Sequence, residues 1–119
     1  MPLPVLVVDD SALACAAVSH WLGARGIEVT TAASSAEAAA LDPAGFAAAL
    51  LDLELGDGLG TELARRLRER APGLPIAFLS ASRDPALLAA ARREGPVFSK
   101  VTGVDDAVRW VSARTAAGG

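Results

Sequence analysis

Ala47-Ala48-Ala49-Leu50-Leu51-Asp52-Leu53-Glu54-Leu55-Gly56-Asp57-Gly58-Leu59-Gly60 is the stretch whose reading decides the fold. Its five opening apolar residues carry no charge, as a strand buried on both faces of a parallel sheet should. Asp52 closes the run and a glycine-rich stretch follows. Leu63 and Leu67 then recur at helical spacing up to about residue 71. Glu62–Arg66 and Arg65–Glu69 have the i,i+4 spacing of ion pairs on the wet face of that helix.

The same strand–loop–helix unit recurs on both sides. Toward the amino terminus, Val5-Leu6-Val7-Val8 runs into Asp9-Asp10, and Ser11 is a good N-cap for a helix to about residue 25. Ala14, Ala17, Val18, Trp21 and Leu22 recur at helical spacing and are expected to form its buried stripe. Residues 27–31 read as a short, alternating edge strand. Ser34 and Glu37 have capping-box spacing for a brief helix that ends before Pro43. Toward the carboxyl terminus, Ile76-Ala77-Phe78-Leu79 leads to Ser80. Asp84-Pro85 then opens a helix that Gly95 ends. Val97-Phe98-Ser99 leads to Lys100, and a last helix turns Val104, Ala107, Val108 and Val111 to one face. The tail from Thr115 onward reads as a frayed end or the start of a linker.

Five such units predict an α/β fold: a doubly wound, flavodoxin-like parallel sheet of five strands in the order 2-1-3-4-5, with helices on both faces. At 119 residues and 52% hydrophobic content the chain is expected to be a single domain with one core and no second domain. A net charge of −3 disfavours direct nucleic-acid binding. Asp or Arg interrupts every apolar stretch before the roughly 18 residues of a membrane span, so no membrane is expected. The start Met1-Pro2-Leu3-Pro4 lacks a signal pattern, and the lone Cys15 cannot form an internal disulfide; the cytoplasm is the expected compartment.

In that order strands 1 and 3 flank the crevice where ligands bind in such sheets. Asp9, Asp10 and Asp52 would therefore meet there, with Ser80 and Lys100 on the next two strands. Three carboxylates within about 5 Å repel by roughly 3 kcal/mol per pair at an effective dielectric near 20. A hard cation is the simplest compensation, and carboxylates without His or Cys suit Mg2+, or Mn2+, better than zinc. Asp52, central and beside both metal and Lys100, stands out as a nucleophile toward a phosphoryl donor, with Ser80 donating a hydrogen bond.

Val7-Val8-Asp9-Asp10-Ser11, Leu50-Leu51-Asp52-Leu53-Glu54-Leu55, Leu79-Ser80-Ala81 and Phe98-Ser99-Lys100 together resemble the receiver domain of two-component response regulators, in order and spacing over nearly the whole chain. The resemblance implies phosphotransfer to Asp52 from a phosphohistidine of a sensor histidine kinase or histidine phosphotransfer protein. It implies Mg2+ held by Asp10 and Asp52 directly, by Asp9 through water and by the backbone carbonyl of Glu54. Ser80 matches the switch hydroxyl, Ala81 the small residue that admits the phosphoryl group, and Lys100 the phosphate-binding lysine. Glu54 and Ser82 flank the pocket and are expected to set the phosphate lifetime. A downstream protein target is implied, and phosphorylation-dependent dimerisation is allowed.

The sequence also departs from that pattern. Val101 stands where a proline in a cis bond is usual. A cis bond before valine costs about 2.5–4 kcal/mol, which predicts a trans loop and a differently aimed Lys100. Val97 occupies the usual aromatic switch position, and Phe98, one residue later, is expected on the opposite face. Gly56 replaces a proline and should loosen its loop. These changes leave room for a degenerate receiver, an interaction module that works without phosphate. A phosphatase would need a second aspartate where Asp52-Leu53-Glu54 has none. His20 reads as solvated, Cys15 as a plain small helix residue, Trp21 as core and Trp110 as half-exposed. Ala12, Cys15, Ala16 and Ser19 are expected on the outer face of the first helix, a small-residue surface for docking helices of the phosphodonor.

Overall fold

The computed structural model describes residues 2–118, with side chains described through Thr115; Met1 and Gly119 lie outside the described residues. Five parallel strands form one sheet: β1 (Val5–Val8), β2 (Val29–Ala32), β3 (Ala48–Leu51), β6 (Ile76–Ser80) and β7 (Val97–Ser99). Their order is β2-β1-β3-β6-β7, the predicted doubly wound arrangement. Two short strands, β4 (Glu54–Leu55) and β5 (Gly58–Leu59), pair antiparallel in the glycine-rich stretch, which is a small hairpin where a loose loop was expected.

Strand alternation sorts the core into two layers. Val5, Val7, Leu50, Ala77 and Leu79 face α1 (Ala12–Gly23) and α5 (Val104–Gly118). Leu6, Val8, Leu51, Ile76 and Phe78 face the other side, where α2 (Ser35–Ala39), α3 (Gly60–Arg70) and α4 (Pro85–Arg92) pack. Phe78, Leu6, Leu51 and Leu63 are fully buried, each contributing about 1.5–3 kcal/mol of transfer free energy.

The predicted caps form. Ser11 accepts from the Ala14 amide, Ser34 from Glu37 and Asp84 from Ala86 with Pro85 in the first turn. Gly26 takes a φ of +75° just beyond α1. A 3-10 turn at Pro43–Gly45, capped by Asp42, was not anticipated. α5 continues through the expected frayed tail to Gly118. Neither expected ion pair on α3 closes; Arg68 instead reaches Glu94 and the carbonyl of Leu74.

The phase of α1 differs from the expectation. Cys15, Val18 and Leu22 are buried, whereas Ala17 is exposed and Trp21 stands 45% exposed. Val18 and Leu22 are buried as predicted, but Cys15 completes the stripe in place of Ala17 and Trp21, the bulk of Trp21 having drawn the expected stripe toward its own face. Ala-rich helices offer little contrast between faces, so one large side chain dominates the pattern.

Candidate functional site

Asp9 and Asp10 follow β1, Asp52 follows β3, Ser80 ends β6 and Lys100 follows β7, so all five lie at the carboxyl edge of the sheet. The sheet ladder places them: Asp9 donates its amide to the Ala32 carbonyl, and Asp52 donates to Val8 at 2.8 Å. Asp9 and Asp52 are buried and Asp10 is exposed. One carboxylate oxygen from each lies within 4.8 Å of the others. Asp9 is held further by the Ser11 amide, which donates to its Oδ1 at 2.9 Å.

Lys100 points into this group. Its Nζ lies 2.6 Å from Asp9 Oδ2 and 3.2 Å from Asp52 Oδ2. The Lys100–Val101 bond is trans, as expected, yet the expected change of aim does not follow. Other contacts fix the loop instead. The Lys100 amide donates to the Ser80 carbonyl, and the Ser99 hydroxyl accepts from Val101 and Thr102. A Cβ on Gly103 would stand 2.7 Å from the Ser99 nitrogen, so only glycine fits this tight return.

Burial raises the Asp52 carboxyl above its ordinary range, and the Asp9 charge adds to that, with Lys100 opposing both. Burial pulls Lys100 down, but its hydrogen bond to Asp9 and the charges of Asp52 and Asp9 outweigh it, so its pKa is raised. One ammonium faces three carboxylates, leaving excess negative charge. An all-oxygen donor set with one exposed member could hold a hard divalent cation, and no His joins the group. The Glu54 amide approaches Asp52 Oδ1 at 3.4 Å, which brings the start of the hairpin to the same corner.

The other predicted residues lie outward. Ser80 is buried, and its hydroxyl accepts from the Ser82 amide at 3.0 Å, turned toward the β6–α4 loop. Ala81 is exposed at the mouth. Val97 packs with the α2–α4 layer and Phe98 with the α1/α5 layer, so alternation does place Phe98 on the opposite face. A cavity of about 350 Å3 opens beside them, lined by Ser80, Leu88, Arg92, Val97 and Thr102.

Ala12, Cys15, Ala16 and Ser19 line one groove of about 400 Å3 beside Asp9 and Asp10, so the expected small-residue face forms, with Cys15 at its floor. Cys15 is buried with its thiol donating to the Asp9 carbonyl at 3.3 Å, and burial then the Asp9 charge push that thiol up. The Ser19 hydroxyl is buried without a partner. Large apolar side chains are exposed as well: Leu13 is 81% exposed, Trp21 45% and Val101 83%. His20 is exposed, and Trp110 is half-buried under the Arg114 guanidinium, as expected for that side chain.

Two contributors escaped the sequence reading. A Cβ on Gly60 would stand 2.1 Å from the Asp52 carbonyl oxygen, so α3 enters directly over the acidic corner. The signal was a glycine opening a helix whose N-cap, Leu59, offers no side-chain bond. Asp57 accepts from the Ser35 and Ala36 amides at 2.9 and 3.0 Å; its partners lie over twenty residues away, beyond any local pattern.

Comparison with known proteins agrees with this geometry. The sequence matches the family model of the response regulator receiver domain over residues 5–98, a stretch that ends just before Lys100. A response regulator receiver protein of Anaeromyxobacter sp. (strain Fw109-5) is 36% identical over 77 residues, covering 65% of this chain and 32% of the relative. The probable transcriptional regulatory protein TcrX of Mycobacterium tuberculosis is 37% identical over 81 residues, covering 67% and 35%. The matched stretches thus span about a third of these curated relatives. Among solved structures, a CheY-like receiver domain protein from Methanospirillum hungatei JF-1 superimposes with a TM-score of 0.86 at 22% identity, covering 99% and 97% of the two chains. A putative response regulator from Chloroflexus aurantiacus J-10-fl gives 0.84 at 27% identity, covering 98% and 99%.

Proposed function

The chain belongs to the response regulator receiver domain family, and from that premise we propose that it is a phosphoacceptor of two-component or phosphorelay signalling, with Asp52 as acceptor. The observation that carries the reading is the meeting of Asp9, Asp10 and Asp52 with the Lys100 ammonium at one strand edge. Asp9, Asp10, Asp52 and the Glu54 carbonyl would hold Mg2+, or Mn2+, which supplies positive charge opposite the transferring oxygens. A carboxylate oxygen of Asp52 attacks phosphorus, the P–N bond of a donor phosphohistidine breaks, and its electron pair stays on the imidazole nitrogen. Lys100 then moves from its carboxylate partners to a phosphoryl oxygen, and Ser80 leaves the Ser82 amide to donate to another. The unit is regulatory: it takes up and loses one phosphoryl group and signals by contact with a downstream protein in the cytoplasm.

Ala17, Trp21 and Val101 line a groove that also reaches Lys100, which supports docking of the histidine kinase or phosphotransfer protein here. Ala17→Glu should slow transfer from such a donor while sparing uptake from a small phosphoramidate. Equal loss from both donors would remove this docking face.

Incubation with Mg2+ and phosphoramidate, followed by intact mass, tests the whole reading. A gain of one phosphoryl group that chelation abolishes supports it. No gain favours the second reading, a degenerate receiver, whose supporting observation is the cavity beside Val97 where a larger switch side chain would sit.

A further inference from the structure

The hairpin that leaves Asp52 is weak by itself. It has two antiparallel residue pairs, Glu54 with Leu59 and Leu55 with Gly58. A lone two-stranded ribbon is marginal in water, and glycines at 56 and 58, the latter at φ +156°, add freedom. Yet this ribbon walls the acidic corner. The Glu54 amide lies 3.4 Å from Asp52 Oδ1, and a Cβ at Gly56 would come within 3.7 Å of Asp10 Oδ2.

Three anchors hold it. Leu55 is buried in the α2–α4 layer, and Gly60 abuts the Asp52 carbonyl at the exit. At the tip, Asp57 Oδ1 accepts from the Ser35 amide at 2.9 Å and Oδ2 from Ala36 at 3.0 Å. Both amides belong to the first turn of α2 and have no intrahelical acceptor. Bonds from amides to an ionised carboxylate are roughly twice as strong as neutral ones. The amides of Ala36 and then Ser35 hold the Asp57 carboxyl below its ordinary range. The far end of α2 is tied separately: Arg70 of α3 donates to the carbonyls of Ala39 and Leu41. Of the two ties, only Asp57 touches the hairpin.

We infer that Asp57 is a positioning residue of the phosphoacceptor site: by clamping the hairpin tip to α2 it holds the Glu54 backbone against Asp52 and Gly56 beside Asp10, in register for a bound cation. This rests on the metal-dependent reading above. It also makes Asp57 stand in for the rigidity that Gly56 does not supply.

Arg70→Gln is the control, because it loosens α2 without touching the hairpin. Wild type, Asp57→Ala, Asp57→Asn and Arg70→Gln are compared by amide hydrogen exchange without metal and by calorimetric titration with Mg2+. Asp57→Ala should speed exchange across residues 54–59 and weaken Mg2+ by about tenfold, the lower end for an outer-shell partner. Asp57→Asn, keeping one acceptor oxygen, should fall between it and wild type. Arg70→Gln should speed exchange in α2 alone and leave Mg2+ affinity unchanged. Equal Mg2+ losses in Asp57→Ala and Arg70→Gln, or unaltered hairpin exchange in Asp57→Ala, would overturn the inference. Absence of Mg2+ binding by wild type would sink the metal reading instead, and the exchange data alone would still decide the clamp.

Discussion

The acidic corner at the ends of β1 and β3 and the β7 edge, which β6 separates from β3, are built differently. At the acidic corner the two buried carboxylates are each constrained more than once. Asp9 is fixed by the Ser11 amide and Lys100, Asp52 by Val8 and Lys100, and Gly60 admits no side chain at all. Along β7, Val97 and Phe98 are only partly buried, Ser80 is turned to Ser82, and a cavity of about 350 Å3 opens beside the strand and α4. Chemistry needs fixed geometry, whereas a signal needs an element that can move, and the packing divides along that line.

Substitutions at the two corners should therefore differ in kind. The largest effect is expected from Asp52→Asn, which removes the proposed nucleophile and should abolish phosphoryl uptake from any donor by intact mass. Residual uptake would place the acceptor on Asp9 or Asp10 and break the contrast. Gly60→Ala comes next, since its Cβ meets backbone at 2.1 Å. A loss of at least about 1–3 kcal/mol in urea unfolding is expected from such overpacking. Lys100→Met should cost about 1.5–3 kcal/mol without metal, the worth of hydrogen bonds to charged groups. Because the Lys100 pKa is raised, its contribution is full below the ordinary lysine value and fades as pH rises through the folded one. Urea titrations of both proteins across alkaline pH should converge.

Smaller effects sharpen the picture. The lowered Asp57 pKa means its support is full above the ordinary carboxylate range and is lost as pH falls through the folded value. Asp57→Asn should accordingly flatten the acid limb of stability against pH; an unchanged limb would show that the clamp carries no linkage. At the β7 edge, Val97→Phe should fill space already present and change stability by less than about 1.5 kcal/mol in either direction. A loss matching that of Gly60→Ala would mean this edge is packed as tightly as the acceptor corner.

The sheet order and the meeting of the strand-end residues were legible because each apolar run ends on a charged or polar residue, and alternation of βα units leaves few topologies. Phe98 could be assigned a face from alternation alone. The phase of α1 was not legible, since Ala12, Ala14, Ala16 and Ala17 give no contrast and Trp21 outweighed them. The hairpin, the Gly60 approach and the Asp57 clamp depend on partners remote in sequence, which local pattern cannot reveal. Lys100 shows the opposite error: the missing proline suggested a different aim, but Ser99 and Gly103 shape the same reach by other bonds.

The most direct test of the acceptor reading is to trap the bond itself. Protein treated with Mg2+ and phosphoramidate is quenched with borohydride, which reduces an acyl phosphate of aspartate to homoserine, and its peptides are mapped by mass. Homoserine at residue 52 alone, and only when Mg2+ is present, is the predicted result. Homoserine at residue 9 or 10, or at no position while the protein remains folded, would contradict the account.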